Sequence, residues 1–508
     1  MSDVGICTLP SLGAEIEMPV IDQTGATGLV DERYFAALRV LHGAGARAET
    51  LHGRTHAIVT PLAVSGIDNG WNLLETAHAP VQAGEGALSL LAQRMRDDIV
   101  YVGQALAVQD LRLTSLAQHP TAGSGAELYR RAVAPKPIYH YLTSRRGWSH
   151  AAGIDAKAQN GPTTGTTPDD AVTTLNLLLA TAPAFIALFA NSPFENGQRS
   201  GLMETRMTLW SRMVSSSRFQ ADCARVGLPP RWFTSLGEYF AWTFAPGTVM
   251  HAVPAGGGGY KGNTTLFEPG DGQMSAIPFL AGGPVQARSV QTGAQATLTP
   301  GAGHFEFLQW SNFLDFRLRF AFCAAAPHAA ELSAALCEPA RFLPLFRDHF
   351  SNLYIENRCT GATFADPDLV ERAPRGAQAS CMIAPLALQA GLTKAASVHG
   401  ADFCARWSVA QVARLREQAI RHALSPVKSG TEAAGLQAFC AEVLDLAGSY
   451  LSGADTEHLR YAEWVLETGL TGAQRAIDHH LRMGKAGDGA AGLEMLSRER
   501  EVLPPPLI

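Results

Sequence analysis

Apolar and polar positions alternate with a period of two along Ser11 to Val20 (Ser-Leu-Gly-Ala-Glu-Ile-Glu-Met-Pro-Val), which predicts a strand. A turn is expected at Asp68-Asn69-Gly70, with a second strand leaving it from Trp71 to Ala77. From Ala87 to Ala117 the Leu, Met, Ile and Val residues recur at helical spacing. Ala171 to Ala190 carries no charge and is long enough to cross a bilayer. It contains Thr173, Thr174, Asn176, Thr181 and Pro183, however, and is flanked by Asp169-Asp170 and Asn191 instead of Lys or Arg. A buried core helix over 168–190 is the better reading, with Pro168 and the two aspartates at its start.

Between 252 and 304 the texture becomes rich in Gly, Thr and Gln, which predicts turns, short strands and a mobile loop. The Gly256–Gly259 run, followed by Tyr260-Lys261, reads as a surface loop whose backbone N–H groups could approach a phosphate. Helical patterns return at Trp407 to Leu424, Leu436 to Leu451 and Thr456 to Met483. Residues 484–508, with Gly-Asp-Gly and Pro-Pro-Pro, are expected to form a flexible tail. No repeat of solenoid period is visible. The pattern as a whole predicts an α+β fold: an antiparallel sheet surrounded by helices, with a helical C-terminal region.

Composition sharpens this. The chain has 508 residues, 46% hydrophobic and 17% charged, so it can bury a large core. A formal net charge of −6 argues against nucleic acid or an anionic membrane as a partner and leaves small molecules. Eight cysteines are dispersed without a Cys-x2-Cys pair, as expected of reduced thiols in the cytoplasm. Met1 to Pro10 lacks a basic region and an apolar run, so no signal peptide is read.

Candidate chemistry rests on carboxylates in or beside apolar, strand-like runs: Glu15 and Glu17, Asp68 and Glu75, and Glu356. A buried carboxylate must be compensated by a positive partner or become protonated. Glu15 and Glu17 are two apart, so a strand would place them on one face, roughly 6.5–7 Å apart. A lone Glu-x-Glu is more often a solvated face. Asp68 also reads as a turn residue bonding its own backbone, and Glu356 with Arg358 as a plain sheet-surface pair. Arg358 and Arg206 have the planar fork that grips phosphate. The sequence has no Gly-x4-Gly-Lys-Ser/Thr, His-Glu-x2-His or Gly-x-Ser-x-Gly motif.

In order and wording these pieces resemble the glutamate–cysteine ligase superfamily of carboxylate–amine ligases. Gly13-Ala14-Glu15-Ile16-Glu17 is similar to that family's first metal-binding strand. Asp68-x6-Glu75, with Pro80 five residues on, is similar to its Asp-x6-Glu segment. Ala190-Asn191-Ser192-Pro193-Phe194, followed by Arg206 and Trp210, resembles its Ala-Asn-Ser-Pro-Phe segment and Arg-x3-Trp. Tyr354-Ile355-Glu356-Asn357-Arg358 resembles its Tyr-hydrophobic-Glu-x-Arg strand. Two blocks depart from the pattern. Lys157-Ala158-Gln159-Asn160-Gly161-Pro162 stands where a Gln-Val-Asn or His-Tyr-Asn strand is usual, with Asn160 at the ligand position and Pro162 unfavourable to a strand. The usual His-Leu-Thr-Thr block is not recognisable; Trp310 to Arg317 and His349-Phe350-Ser351 compete for it.

The resemblance implies an ATP-dependent ligase. Metal would be held by Glu15, Glu17, Asp68, Glu75 and Glu356, about two or three Mg²⁺ ions with Mn²⁺ as a substitute. Arg206 and Arg358 would be catalytic and nucleotide-binding, with Asn160 also contacting the cofactor. By resemblance the acid is the glutamate side chain and the amine is cysteine; a different amino-acid pair, a non-catalytic homologue and a small-molecule kinase remain as alternatives. The expected organisation is a catalytic core over 1–400 with a loop-rich insertion at 252–304, a helical part over 401–483, and the tail.

Overall fold

A computed structural model of the chain describes residues 11–121, 126–153, 157–245, 247–256, 264–425 and 431–507. Its centre is a ten-stranded antiparallel sheet. Strand β1 (Ser11–Ile21) pairs with β5 (Leu73–His78) on one side and β8 (Asn160–Gly165) on the other. Beyond β5 follow β4 (Ala63–Ile67), β3 (Arg54–Val59) and β2 (Arg47–Leu51). Beyond β8 follow the Phe350–Asn357 strand and then the Phe316–Phe322 strand. The short β6 (Val81–Gln82) and β7 (Arg112–Leu113) pair with the two ends of β1.

Alternation gives this sheet two unlike faces. Ile16, Met18, Leu74, Ile355 and Leu318 are buried on one face, where helices Ala171–Leu188, Ala384–Arg406 and Ala87–Ala107 pack. Glu15, Glu17, Glu75, Glu356, Arg317 and Arg319 fall on the other. The Ala171–Leu188 helix is long and apolar enough to cross a membrane, yet 89% of it is buried inside this protein. Its polar positions have local partners. Asn176 donates to the Phe233 carbonyl at 2.7 Å and accepts from the Phe233 N–H at 3.1 Å, and the Thr181 hydroxyl donates to the Leu178 carbonyl at 3.0 Å.

Several boundaries differ from expectation. The Ala87 helix stops at Ala107; Asp110 has φ 57°, and Arg112–Leu113 then joins the sheet. Pro162 sits inside β8, but pairing with Phe350–Asn357 begins only at Thr163, so the proline lies where that ladder ends. Between 253 and 298 the expected short strands are Val253–Pro254, Leu266–Pro269, Val285–Ser289 and Gln295–Leu298, joined in one antiparallel sheet around buried Val253, Leu266, Ala287 and Leu298. The glycine run and Tyr260-Lys261 lie outside the described residues from 257 on. The long helix expected over Thr456–Met483 is two, Arg460–Thr468 and Gly472–Met483. Gly469 breaks it at φ 70°, and the Thr471 side chain caps the second by accepting from the Gln474 N–H.

Residues 484–508, expected as a tail, carry helix Gly489–Glu499 and are stitched to the core. The fully buried Arg500 guanidinium reaches Asp366 at 2.7 Å and Asp368 at 3.0 Å. The N–H groups of Val502 and Leu503 donate to the carbonyls of Leu113 and Ala365. His479 bridges Asp368 and Glu499 at 2.9 and 2.8 Å. The glycines and the proline run predicted freedom; long-range ion pairs hold the segment instead.

Asp98, on the helix beneath β5, is 4% exposed. Burial pushes its carboxyl up to about 7, against hydrogen bonds from Thr76 and Ser65 that lower it. A raised folded-state pKa contributes stability below the unfolded value near 4, and that contribution is lost as pH rises through about 7. Asp98→Asn, which keeps the shape without the charge, is therefore expected to raise the melting temperature at pH 8 and to change it little at pH 4. Equal effects at both pH values would contradict this origin.

Candidate functional site

Strand register assembles the acidic part of the site. Glu17 lies directly opposite Glu75 across the β1–β5 ladder, and Glu15 is two residues along the same face. One carboxylate oxygen from each of Glu15, Glu17 and Glu75 falls within 4.8 Å of the others. The strand neighbours leave room: Glu15 is paired with Gly161 and Glu75 with Gly66. Gly13 is required by close approach, because a Cβ there would meet the Thr163 hydroxyl at 2.5 Å. Unit charges at such spacing repel by a few kcal/mol even at an effective dielectric of about 20. Hard oxygen donors gathered in this way suit a small divalent cation such as Mg²⁺.

The three glutamates line a cavity of about 230 Å³, together with Asp68, Glu356 and Arg358. Asp68 enters from the turn after β4. Its carboxylate accepts from the Asn69 amide at 2.7 Å, and the Lys136 ammonium holds its backbone carbonyl at 2.6 Å. Glu356 stands apart from the glutamate triplet, in a cluster of arginines. Arg317 grips it through two parallel bonds at 2.8 and 3.1 Å, Arg358 reaches it at 2.9 Å and Arg319 at 3.5 Å. Burial would raise the Glu356 carboxyl, but Arg317, Arg358 and Arg319 together hold it well below the usual carboxylate range. Three guanidinium groups thus surround this one carboxylate.

Arg317 and Arg319 were missed in the sequence, although Phe316-Arg317-Leu318-Arg319-Phe320 shows the same alternation that flagged Glu15 and Glu17. Lys157 was also missed, and no spacing signals it. It is 2% exposed, with its ammonium 4.3 Å from the centre of the Trp210 ring. Burial lowers its pKa to about 8, against the opposing pull of Glu17 and Asp68. Burial likewise pushes His150 down to about 3, so this imidazole lines the cavity as a neutral group.

Two expected site residues lie elsewhere. Asn160 pairs with Ile16 in the ladder and so shares the core face, not the carboxylate face; its amide donates to the Thr363 carbonyl at 3.1 Å. Arg206 is fully buried behind the cavity wall. It pairs with Glu204 at 3.0 Å and donates to the Arg358 carbonyl at 3.2 Å. Glu204 in turn accepts from the Asn191 N–H at 2.7 Å and the Ser192 hydroxyl at 2.9 Å. Asn191 spans the carbonyls of Ser115 and Ala362 at 2.6 and 2.7 Å. The Ala-Asn-Ser-Pro-Phe segment and Arg206 thus hold the backbone that carries Arg358. Cys359 is fully buried, its thiol pushed well above the usual range by that burial, so it is not a nucleophile.

A family-level match agrees with the motif reading as far as residue 251. Residues 12–251 match the model of glutamate-cysteine ligase family 2. Among solved structures, the chain is similar to a glutamate–cysteine ligase of Francisella tularensis in complex with AMP. Identity is 10% and the TM-score 0.47, covering 97% of this chain and 88% of that one. It is also similar to a bifunctional glutathione synthetase of Pasteurella multocida, at 13% identity and a TM-score of 0.45. That match covers 97% of this chain but only 51% of the other. No curated protein matches it in sequence.

Proposed function

We propose that this chain, whose residues 12–251 carry the pattern of glutamate-cysteine ligase family 2, is an ATP-dependent ligase that joins a carboxylate to an amine. The observation that carries the reading is the meeting of Glu15, Glu17 and Glu75 within 4.8 Å in one cavity with the arginine cluster. The donor set fits Mg²⁺: carboxylate oxygens only, on a rigid sheet, beside space for a polyphosphate. Glu15, Glu17 and Glu75 would hold the metal, with Asp68 lining the same cavity. When bound, it would supply charge neutralisation for the phosphates of ATP.

The chain's own residues account for the rest. A carboxylate oxygen of the acid attacks the γ-phosphorus of ATP, ADP leaves, and an acyl phosphate forms. The amine nitrogen then attacks the acyl carbon, phosphate departs, and the nitrogen gives up a proton. Both steps gather negative charge that Arg358, Arg317, Arg319 and Lys157 are placed to attract. These groups sit on a sheet and under aromatic rings, so their positions are set before substrate arrives. By its family likeness the acid is a glutamate-like side chain.

The test is mass spectrometry of products from ATP, Mg²⁺, glutamate and a panel of amino acids. The expected outcome is ADP, phosphate and an amide of the combined mass. ADP with a stable phosphate ester would make the chain a kinase, and no ADP with any pair would leave a binding protein without catalysis.

A further inference from the structure

The segments that cover the acidic and basic sheet face are largely apolar, with Tyr139 and His150 as their polar members. Ile138, Leu142, Trp148, Met213, Trp310 and Phe313 line the same cavity, and each is at most 9% exposed. They come from three stretches remote in sequence, so the wall is made by the tertiary fold. The rings pack on one another: Trp148 lies 5.4 Å from Phe313 and 6.4 Å from Trp310, edge to face. The Trp148 indole N–H turns away to donate to Asp222 at 2.7 Å, leaving carbon toward the cavity. The Trp310 segment is tied to the basic cluster, since Arg317 donates to the carbonyls of Trp310 and Asn312 at 2.9 and 2.8 Å.

This wall constrains one of the two substrates. A carboxylate and a phosphate have partners on the sheet face, whereas among these six side chains only the two indole N–H groups can donate a hydrogen bond, and that of Trp148 is held by Asp222. A cationic substrate side chain would also meet positive charge already resident there. The Lys157 ammonium stands over Trp210, and the Arg358 guanidinium lies 4.7 Å from Trp210 and 5.4 Å from Phe313. An anionic one would lose its water for at most a single hydrogen bond from this wall. An apolar side chain loses nothing and gains burial.

Resting on the ligase reading above, we infer that the amine substrate is an amino acid with an uncharged apolar side chain, bulkier than that of cysteine or alanine, seated against Leu142, Trp148, Met213 and Trp310. These are specificity-determining residues; none touches the reacting atoms.

Two measurements on the full chain test this. Tryptophan fluorescence is titrated with leucine, phenylalanine, alanine, cysteine, aspartate and lysine, because Trp148, Trp210 and Trp310 all line the cavity. Amine-dependent ADP release from ATP, Mg²⁺ and glutamate is followed with the same panel. Leucine or phenylalanine should shift the fluorescence saturably and give kcat/KM about tenfold or more above alanine, the discrimination that a methylene or more confers in an apolar pocket. Met213→Ala, which widens the pocket, should move the preference from leucine toward phenylalanine through KM for the amine, with KM for ATP unchanged. Should that variant not fold, Met213→Leu conserves volume and should change the leucine-to-phenylalanine ratio in a smaller step. ADP release that is fastest with cysteine, aspartate or lysine overturns the inference and leaves the ligase reading standing. Saturable leucine binding without ADP release from any pair overturns the ligase reading and keeps the apolar subsite. Neither binding nor turnover overturns both.

Discussion

Glu17→Gln and Glu75→Gln are each expected to lower metal-dependent ATP turnover by about 10²–10⁴-fold, the loss that follows when several kcal/mol of charge stabilisation are removed. Glutamine preserves size and can still accept a hydrogen bond, but it removes the negative charge that a divalent cation requires. Stability should follow a different pattern. Glu17 and Glu75 are directly opposed across the ladder, and like charges so placed destabilise a strand pair by up to about 1 kcal/mol, but Glu17 is also the main counter-charge of buried Lys157. In metal-free buffer Glu75→Gln should therefore melt near the wild-type temperature and Glu17→Gln below it, because it leaves the Lys157 charge less compensated. Each should also lack the rise in melting temperature that Mg²⁺ is expected to give the wild type. In Glu75→Gln, two readouts moving apart separate a metal-holding role from a folding role. Near-normal turnover in both variants would discard the assignment of these glutamates.

Arg500→Met should produce the largest loss of stability of any single change considered. Arg500 and Asp366 are both fully buried, and the pair closes at 2.7 Å with Asp368 at 3.0 Å beside it. Removing one member of such a pair leaves an uncompensated buried charge and costs about 3–5 kcal/mol. The loss should be the same at low and high salt, because buried pairs are poorly screened. Adding Asp366→Asn to Arg500→Met should recover part of it. Urea unfolding at two ionic strengths checks both statements, and a loss that vanishes in high salt would contradict the buried-pair origin. The function should feel this change as well. Asp366 ends the segment that leaves Arg358, and Ser115, which also bonds Asp366 at 2.7 Å, lies beside the strand that flanks β1.

The two assignments differ in how they could be found. Glu15, Glu17 and Glu75 were legible because a carboxylate in an alternating apolar strand contradicts its surroundings, and that contradiction is local. Arg317 and Arg319 obey the same rule and were within reach. Asn160 was misplaced because its neighbours set its place in a motif, whereas ladder register set its face. Arg206 looked like a phosphate ligand because arginine is shaped for one, yet Glu204, thirteen residues after Asn191 and directly bonded to it, had already claimed it. Lys157 and the aromatic wall carry no periodic signal; their meaning comes from what lies above them in space.

By itself the sequence determined the first strand, the buried Ala171–Leu188 helix, the acidic face carrying Glu15 and Glu17, and the likeness to glutamate–cysteine ligases. These follow from periods of two and 3.6 residues and from turn residues, which act over a few neighbours. Only the tertiary structure decided that Glu356 answers to three arginines and not to the glutamate triplet, that the C-terminal segment is clasped to the core, and that tryptophans close the cavity. Each of those depends on the pairing of residues far apart in the chain, and Coulomb forces and burial act across space without regard to sequence separation.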